Sequence, residues 1–591
     1  MRKTKIVCTL GPACEDKKIL EEMILAGMDV ARFNFSHGDH EEQAGRLKKI
    51  RSTAKKMDRF IPCLLDTKGP EIRIGTFEKD EVTLVEGQQF VLTTQDVQGD
   101  ESRVSISFKE LPNDVHPGDS ILIDDGLVAL TVQNVTDSDI LCTVVNGGLV
   151  GNKKGVNIPG IRLSLPYMSE KDKADIIFGI ENNFEFIAAS FTRTAQDILD
   201  IKNILDDYGN EKIRVIAKIE NAEGVANIND ILRISDGIMV ARGDMGVEIP
   251  LENVPVLQKQ LIRKAYNAGK IVITATQMLD SMMHNPRPTR AESTDVSTAI
   301  YEGTSAVMLS GETAAGKYPV ESVETMARIA LRTESDIDYR LQFHTEDKFD
   351  NKCNDVTTAI SHAACTTAYD LNASAIIAVT KTGQSARLVS KYRPSIPIIG
   401  SSPDAMVLNQ LNMSWGVIPL AMEEKKLTDE LFESAVYNAK EKGLLKDGDV
   451  VVITAGIPLG VSGTTNLLKV HMVGDVLVKG MGINELCARA PLCVAHTEEE
   501  AQQDFKNGDI LVISRTSNEI LDLMKRSAGI ITEEGGLESH AAIVGMALEK
   551  PVIVGAAGAT SILKSGTLAK LDAESGLVSI VKDQNLKNLK K

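Results

Sequence analysis

The chain has 591 residues, 43% hydrophobic and 25% charged, with eight cysteines and a formal net charge of −17. That length exceeds a single domain, and no apolar run approaches the ~20 residues of a membrane span. The acidic balance argues against nucleic acid as a partner, and scattered cysteines without CxxC pairs fit reduced thiols in a cytoplasm. The start, MRKTKIVCTLGP, is basic and then apolar but lacks a small-residue cleavage site, so no signal peptide is predicted. An anionic substrate would need a local basic pocket.

Residues 1–335 repeat a short apolar strand, a polar turn and an amphipathic helix. Strands are predicted at 5–10, 29–33, 61–66, 184–190, 214–219, 237–241, 270–275 and 305–310. Eight strand–helix units imply a closed parallel barrel, an α/β fold whose chemistry sits at the C-terminal strand ends. Between the third and fourth strands lie about 120 residues, too many for a loop. There VTLVEGQQFVLTT, SRVSISF and DSILIDDGLVALTVQNV alternate apolar and polar residues, which predicts a small antiparallel β domain in the position of a lid. After about residue 340 a helix and the strands ASAIIAVT, IPIIGS, GVIPLA and DVVVITAG predict an open α/β sheet, and 475–591 reads as another compact α/β domain.

The strand ends collect an unusual set of side chains. RVIAKIENAEG places Lys218 and Glu220 on one face of the fifth strand, because strand side chains alternate. The second strand ends with Arg32, Asn34, Ser36 and His37, and the third with Asp66, Thr67, Lys68, Glu71 and Arg73. The sixth contributes Arg242, Gly243 and Asp244, and the seventh Thr276. Glu220 and Asp244 end adjacent strands about 4.8 Å apart. Two carboxylates so placed can share one hard cation at about 2.0–2.1 Å and leave positions for substrate oxygens and water, the habit of Mg²⁺. Arg32, Arg73 and Lys218 supply the basic pocket. No GxxxxGK[ST] occurs, so phosphate is to be held by metal and side chains, the equipment of phosphoryl transfer. Taken singly, His37 reads as a surface or core histidine, Lys153 and Lys154 as a solvated hinge, and Asp66 as a turn cap.

In order over roughly residues 1–470, ARFNFSHG, DTKGPEIR, KKGVNIPG, KIENAEG, ARGDMGVE, TATQMLDSM and MLSGETAAGKYP resemble the pyruvate kinase family. The resemblance implies a TIM (β/α)8 barrel with an inserted small β-barrel lid, an α/β regulatory domain, and transfer of phosphoryl from phosphoenolpyruvate to ADP, giving pyruvate and ATP. It implies boundaries at 1–69 with 156–340 for the barrel, 70–155 for the lid, 341–474 for the regulatory domain and 475–591 for the extra domain. By the same resemblance Lys218 neutralises the migrating phosphoryl, Arg32 grips the phosphate, and Glu220 and Asp244 hold Mg²⁺ or Mn²⁺. Backbone N–H groups of Gly243 and Asp244, with the Thr276 hydroxyl, would bind the substrate carboxylate. Asn34, Ser36, Asp66 and Thr67 would form a K⁺ site, while His37, Arg73 and Lys154, with Asn34, would face the nucleotide. The resemblance also implies a homotetramer.

In the third domain, TKTGQSA offers the hydroxyls and N–H groups of Thr380, Lys381, Thr382, Gly383 and Ser385 at a helix N-terminus, a ready phosphate site. GIPLGVSGTTN, containing Gly463, adds a glycine-rich loop; together they suit a phosphorylated effector, a sugar phosphate or AMP. Residues 475–591 resemble the swivelling phosphohistidine domain of phosphoenolpyruvate synthase through GGLESHAAIVGMALEKPVIVG. There Glu538 stands where those enzymes usually carry Thr, two residues before His540. Competing readings are a dikinase that phosphorylates His540, for which no ATP-grasp segment is visible, and a metabolite sensor without turnover. The retained Lys218, Glu220, Asp244 and Thr276 argue against the sensor.

Overall fold

In the computed structural model, residues 1–346, 355–425, 427–457 and 465–581 are described. Eight parallel strands close into a barrel. They are β1 (Lys5–Thr9), β2 (Val30–Asn34), β3 (Cys63–Asp66), β4 (Phe186–Ala189), β5 (Arg214–Ile219), β6 (Gly237–Ala241), β7 (Ile271–Ala275) and β8 (Ala306–Leu309). Neighbours follow chain order around the ring, and β8 pairs back onto β1 through Lys5↔Ala306.

Alternation along each strand divides the side chains between two layers. Val215, Ala217 and Ile219 of β5 pack outward with the surrounding helices, whereas Ile216 joins Val7, Val30, Leu64, Ala188, Met239, Ile273 and Met308 inside the barrel. Lys218 and Glu220 share the parity of Ile216, and by the same count Thr9, Arg32, Asp66 and Ser190 also turn inward. The helices are fixed by local chemistry. Asp39 caps His40–Lys56 by accepting from the Glu42 N–H, with Glu41 and Glu42 in the first turn and Lys55 and Lys56 in the last.

The insertion after β3 forms a seven-stranded sheet and a two-stranded ribbon around its own core of Phe77, Phe90, Leu92, Ile121, Leu130 and neighbours. Most pairs are antiparallel, as expected; Gln89–Thr93 and Arg103–Ser105 run parallel. Strands Ser120–Ile123 and Val128–Val135 join through Asp124 and Asp125, both with left-handed backbone, and Gly126. That turn matches the right-handed strand twist.

The chain divides into two compact units. One comprises Met1–Cys365, Ala378–Glu424 and Ala455–Leu467, and the other Thr366–Ile377, Lys425–Thr454 and Leu468–Lys591. The open sheet expected after residue 340 has strands at Ala375–Val379, Ile398–Ser402, Val417–Ala421, Val450–Gly456 and Thr465–Met472, the last not foreseen. The second unit carries an eight-stranded sheet whose central strands, Ile510–Ile513, Gly529–Thr532 and Val552–Val554, are parallel. No helix among the described residues is long and apolar enough to cross a membrane.

Candidate active site

The inward residues meet at the C-terminal mouth of the barrel. Asp66, 1% exposed, receives Arg32 Nε at 2.6 Å on Oδ2 and Lys218 Nζ at 3.0 Å on Oδ1. Arg32 also donates to Thr9 Oγ1 at 2.9 Å. Burial opposes ionisation of Asp66, but Arg32 and Lys218 outweigh it and hold the carboxyl below its ordinary range. Lys218 Nζ lies 3.0 Å from Glu220 Oε1 and donates to Ser190 Oγ at 2.7 Å. Burial would lower the lysine's pKa; Asp66 and Glu220 reverse this and raise it, so the ammonium stays charged.

Glu220 behaves differently from its partner. Burial pushes it up to about 7, against the pull of Lys218 and with the push of Asp244. The asymmetry follows from the count of neighbours: Lys218 faces two carboxylates, whereas Glu220 shares that one ammonium with Asp66. Its Oε2 accepts the Phe191 N–H at 2.6 Å, while the buried Oε1 has no hydrogen-bond partner. Phe191 has left-handed backbone (φ 52°), which aims that N–H. Asp244, in the helix Arg242–Glu248 directly after β6, is half-buried and accepts no hydrogen bond among the described residues.

At the end of β7, Thr276 and Gln277 both take left-handed backbone (φ 66° and 55°), a costly conformation for side-chain-bearing residues. Thr276 Oγ1 there accepts the Gly243 N–H at 2.8 Å and donates to the Ala275 carbonyl at 2.6 Å. Arg242 buttresses the turn, donating to the Thr276 carbonyl at 2.6 Å and pairing with Asp295 at 2.6 Å.

The register Asn34↔Asp66 brings the ends of β2 and β3 side by side. Asn34 Oδ1 accepts the Ser36 N–H at 3.1 Å, and Thr67 Oγ1 accepts the Ser190 N–H at 3.2 Å. Glu71 grips Arg73 through both oxygens, at 2.9 and 2.7 Å, with Lys68 4.0 Å away. Lys154 pairs with Asp124 of the insertion at 3.0 Å. A cleft of about 400 Å³ is lined by Glu71, Asp125, Gly155, Asn221 and Asp244, so the insertion reaches over the mouth. Burial, then Asp244 and Asp124, push the Asp125 carboxyl up. His37 is exposed and lies outside the Arg32–Lys218 cluster; its carbonyl accepts from Gln43.

Ser190 was not singled out from sequence, although it touches Lys218, Asp66 and the Thr67 carbonyl. Its one signal was its place at the end of β4 on the inward face.

Residues 1–323 match the model of the pyruvate kinase barrel domain. The chain belongs to the pyruvate kinase family. Residues 358–471 match the pyruvate kinase alpha/beta domain and 505–576 the mobile domain of PEP-utilising enzymes. Pyruvate kinases of Geobacillus stearothermophilus (50% identical over 579 residues, 98% of each chain) and Sporosarcina psychrophila (48% over 580 residues, 98% of this chain and 99% of that one) are close relatives. A crystal structure of a pyruvate kinase from Cryptosporidium parvum superposes with a TM-score of 0.77 at 40% identity, covering 80% of this chain and 96% of that one. The activity is accordingly that of a pyruvate kinase, a phosphotransferase moving phosphoryl from phosphoenolpyruvate to ADP.

In the third domain, the turn before the helix Gln384–Lys391 is closed by the Gly383 N–H on Thr380 Oγ1 at 3.0 Å, with Gly383 left-handed (φ 81°). Ser385 and Thr465 hydroxyls hydrogen-bond, and Lys381 lies 3.9 Å from Glu424. Gly463 lies outside the described residues.

Proposed function

We propose that the barrel mouth performs the transfer with Lys218 as the fixed positive charge on the phosphoryl path. The observation that carries this is the buried Arg32–Asp66–Lys218–Glu220 chain, which keeps two cations charged and oriented before substrate arrives. Because its partners raise its pKa, Lys218 serves by charge rather than by giving up a proton. Arg32 swings or shares its hold on Asp66 to take a phosphate oxygen. The Gly243 N–H, now on Thr276 Oγ1, the Asp244 N–H, and the Thr276 hydroxyl, now on the Ala275 carbonyl, would turn to a substrate carboxylate beside them. A coupled assay of pyruvate formed from phosphoenolpyruvate and ADP, with phosphate-plus-AMP controls, tests this reading. Pyruvate formation that depends on AMP and phosphate instead of ADP would overturn it.

The donor set fits Mg²⁺ or Mn²⁺: Glu220 offers a buried Oε1 that has the Lys218 ion pair but no hydrogen bond, and Asp244 a carboxylate with none. No cluster of three or more His, Cys, Asp or Glu that could hold a metal occurs among the described residues. Bound at Glu220 and Asp244, the cation would neutralise phosphoryl oxygens. Asn34, Ser36, Asp66 and Thr67 offer oxygens for K⁺ on the neighbouring strand ends. Arg73 and Lys154, with His37, would meet the nucleotide under the insertion. Thr380, Lys381, Thr382, Gly383 and Ser385 would bind a phosphorylated activator. The family matches at 1–323, 358–471 and 505–576 support the division into a barrel with lid, a regulatory domain and a C-terminal domain beginning near 475.

A further inference from the structure

At the end of the barrel opposite Lys218 lies a second cavity, of about 490 Å³, lined by Phe186, Arg214, Asp236, Lys270, Thr382 and Arg387. Phe186 and Arg214 open β4 and β5, while Asp236 and Lys270 immediately precede β6 and β7. Thr382 and Arg387 come from the turn and helix around Gln384–Lys391. The strands that rise from this cavity are those ending at Lys218, Asp244 and Thr276.

Its charges do not balance. Arg214 Nη1 pairs with Asp236 Oδ1 at 2.9 Å, and the same carboxylate has Lys202 Nζ 3.8 Å away. Lys270 Nζ donates to the Ser235 carbonyl at 2.8 Å, and Arg387 Nη2 to the Thr382 carbonyl at 3.0 Å. Neither Lys270 nor Arg387 has a carboxylate within ion-pair distance among the described residues. Arg214 Nε is buried without any hydrogen-bond partner. Three lining cations therefore face one carboxylate already shared with a fourth cation. Burial, then the Arg214 charge, drags Arg387 down to about 9, and burial lowers Lys270. Gathering like charges out of water is unfavourable unless an opposite charge joins them. Local geometry also holds Arg387 in place: a Cβ on Gly383 would collide with its guanidinium, so the left-handed glycine admits the side chain beneath the turn.

We propose that this cavity is a second anion site, which takes the dianionic phosphate of a small metabolite between Arg214, Lys270 and Arg387. It adjoins the activator site proposed above and shares Thr382 with it, but that site uses the hydroxyls and amides of 380–385. Here recognition is by guanidinium and ammonium groups, two of them on the barrel. Arginine forks suit the oxygens of a phosphate, and the free Arg214 Nε supplies a further donor.

Equilibrium dialysis of the full chain against labelled inorganic phosphate tests the site, together with selenate-soaked crystals that locate the ion by anomalous scattering. The expected result is a selenate peak among the three cations and the loss of one phosphate per chain in both Arg387→Leu and Lys270→Met, with that selenate peak retained in Ser385→Ala crystals. Without ligand, Arg387→Leu should melt higher than wild type, because an uncompensated charge has gone, and phosphate should raise its melting temperature less. Unchanged stoichiometry and affinity in both variants, or selenate bound only elsewhere, would overturn the site. Should Arg387→Leu not fold, Lys270→Met alone decides.

Discussion

Lys218 Nζ stands 3.0 Å from Glu220 Oε1, an ion pair made two residues apart along one strand and aimed into the barrel mouth. Together with Asp66, the pair keeps the ammonium charged. Lys218→Met should cut turnover about 10²–10³-fold, the cost of losing one preorganised donor, while the half-saturation for phosphoenolpyruvate changes little. Steady-state kinetics decide this. A variant retaining more than a tenth of wild-type turnover would refute the role.

Asp66 carries two cations on one buried carboxylate. Asp66→Asn keeps the shape but leaves Arg32 without a charge partner and Lys218 with Glu220 alone, and breaking such a buried pair costs about 3–5 kcal/mol. Denaturant unfolding of the full chain should show a loss of that order in the barrel transition. A loss below ~1 kcal/mol would mean that the cations relax to other partners.

Glu71 holds Arg73 through both oxygens, with Lys68 at 4.0 Å. In Glu71→Lys an ammonium replaces that carboxylate on the segment that follows Asp66 and Thr67 of the proposed K⁺ set, so part of the K⁺ requirement should disappear. Arg73 is released at the same time, and the half-saturation for ADP should rise severalfold. Rates for wild type and variant with K⁺, Na⁺ or neither are the measurement. An unaltered K⁺ requirement would count against a site at Asn34, Ser36, Asp66 and Thr67.

Ser385 lies in the turn proposed for the activator, and its hydroxyl is tied to Thr465. A hydrogen bond to a charged group is worth about 1.5–3 kcal/mol, so Ser385→Ala should raise the activator concentration required at least tenfold. The readout is the half-saturation for phosphoenolpyruvate against a panel of sugar phosphates and AMP. If no phosphorylated metabolite shifts that value in wild type, the turn is structural.

His540 opens the helix His540–Ala547, with Nδ1 2.9 Å from Thr516 Oγ1 and Nε2 3.1 Å from Asn518 Oδ1. Both ring nitrogens are engaged. Labelled phosphoenolpyruvate should therefore leave no acid-labile phosphate on the chain, and His540→Ala should keep near-wild-type pyruvate formation. Stoichiometric labelling that the substitution abolishes would revive the dikinase reading.

The barrel was legible because its signal is redundant: β5 and β6 fall on the residues expected, β2 is shifted by one residue to end at Asn34, and the others lose only one or two residues at an end. At β4 the run FEFIAAS suggested 184–190, yet the strand is Phe186–Ala189. Glu185 instead serves as an acceptor, taking Arg51, the Cys63 N–H and Asn409, which no local pattern announces. The charged residues of the mouth stood out because a cation or carboxylate at a strand end is conspicuous. Ser190 was missed because a serine closing an apolar strand looks like an ordinary turn. Asp124 and Asp125 fall in a run read only as part of an antiparallel β domain, and the approach of Asp125 to Asp244 depends on how the insertion folds back.

Met413, which follows the helix Ala405–Leu411, is fully buried among the residues that fill the barrel interior. The last barrel strand therefore leaves the ribosome well before the side chain that floors it. During synthesis, a ring of eight strands must wait with its lower opening exposed to water or to a chaperone until residue 413 emerges. Fragments ending near residue 340 should on this account be aggregation-prone even though every strand of the ring is present.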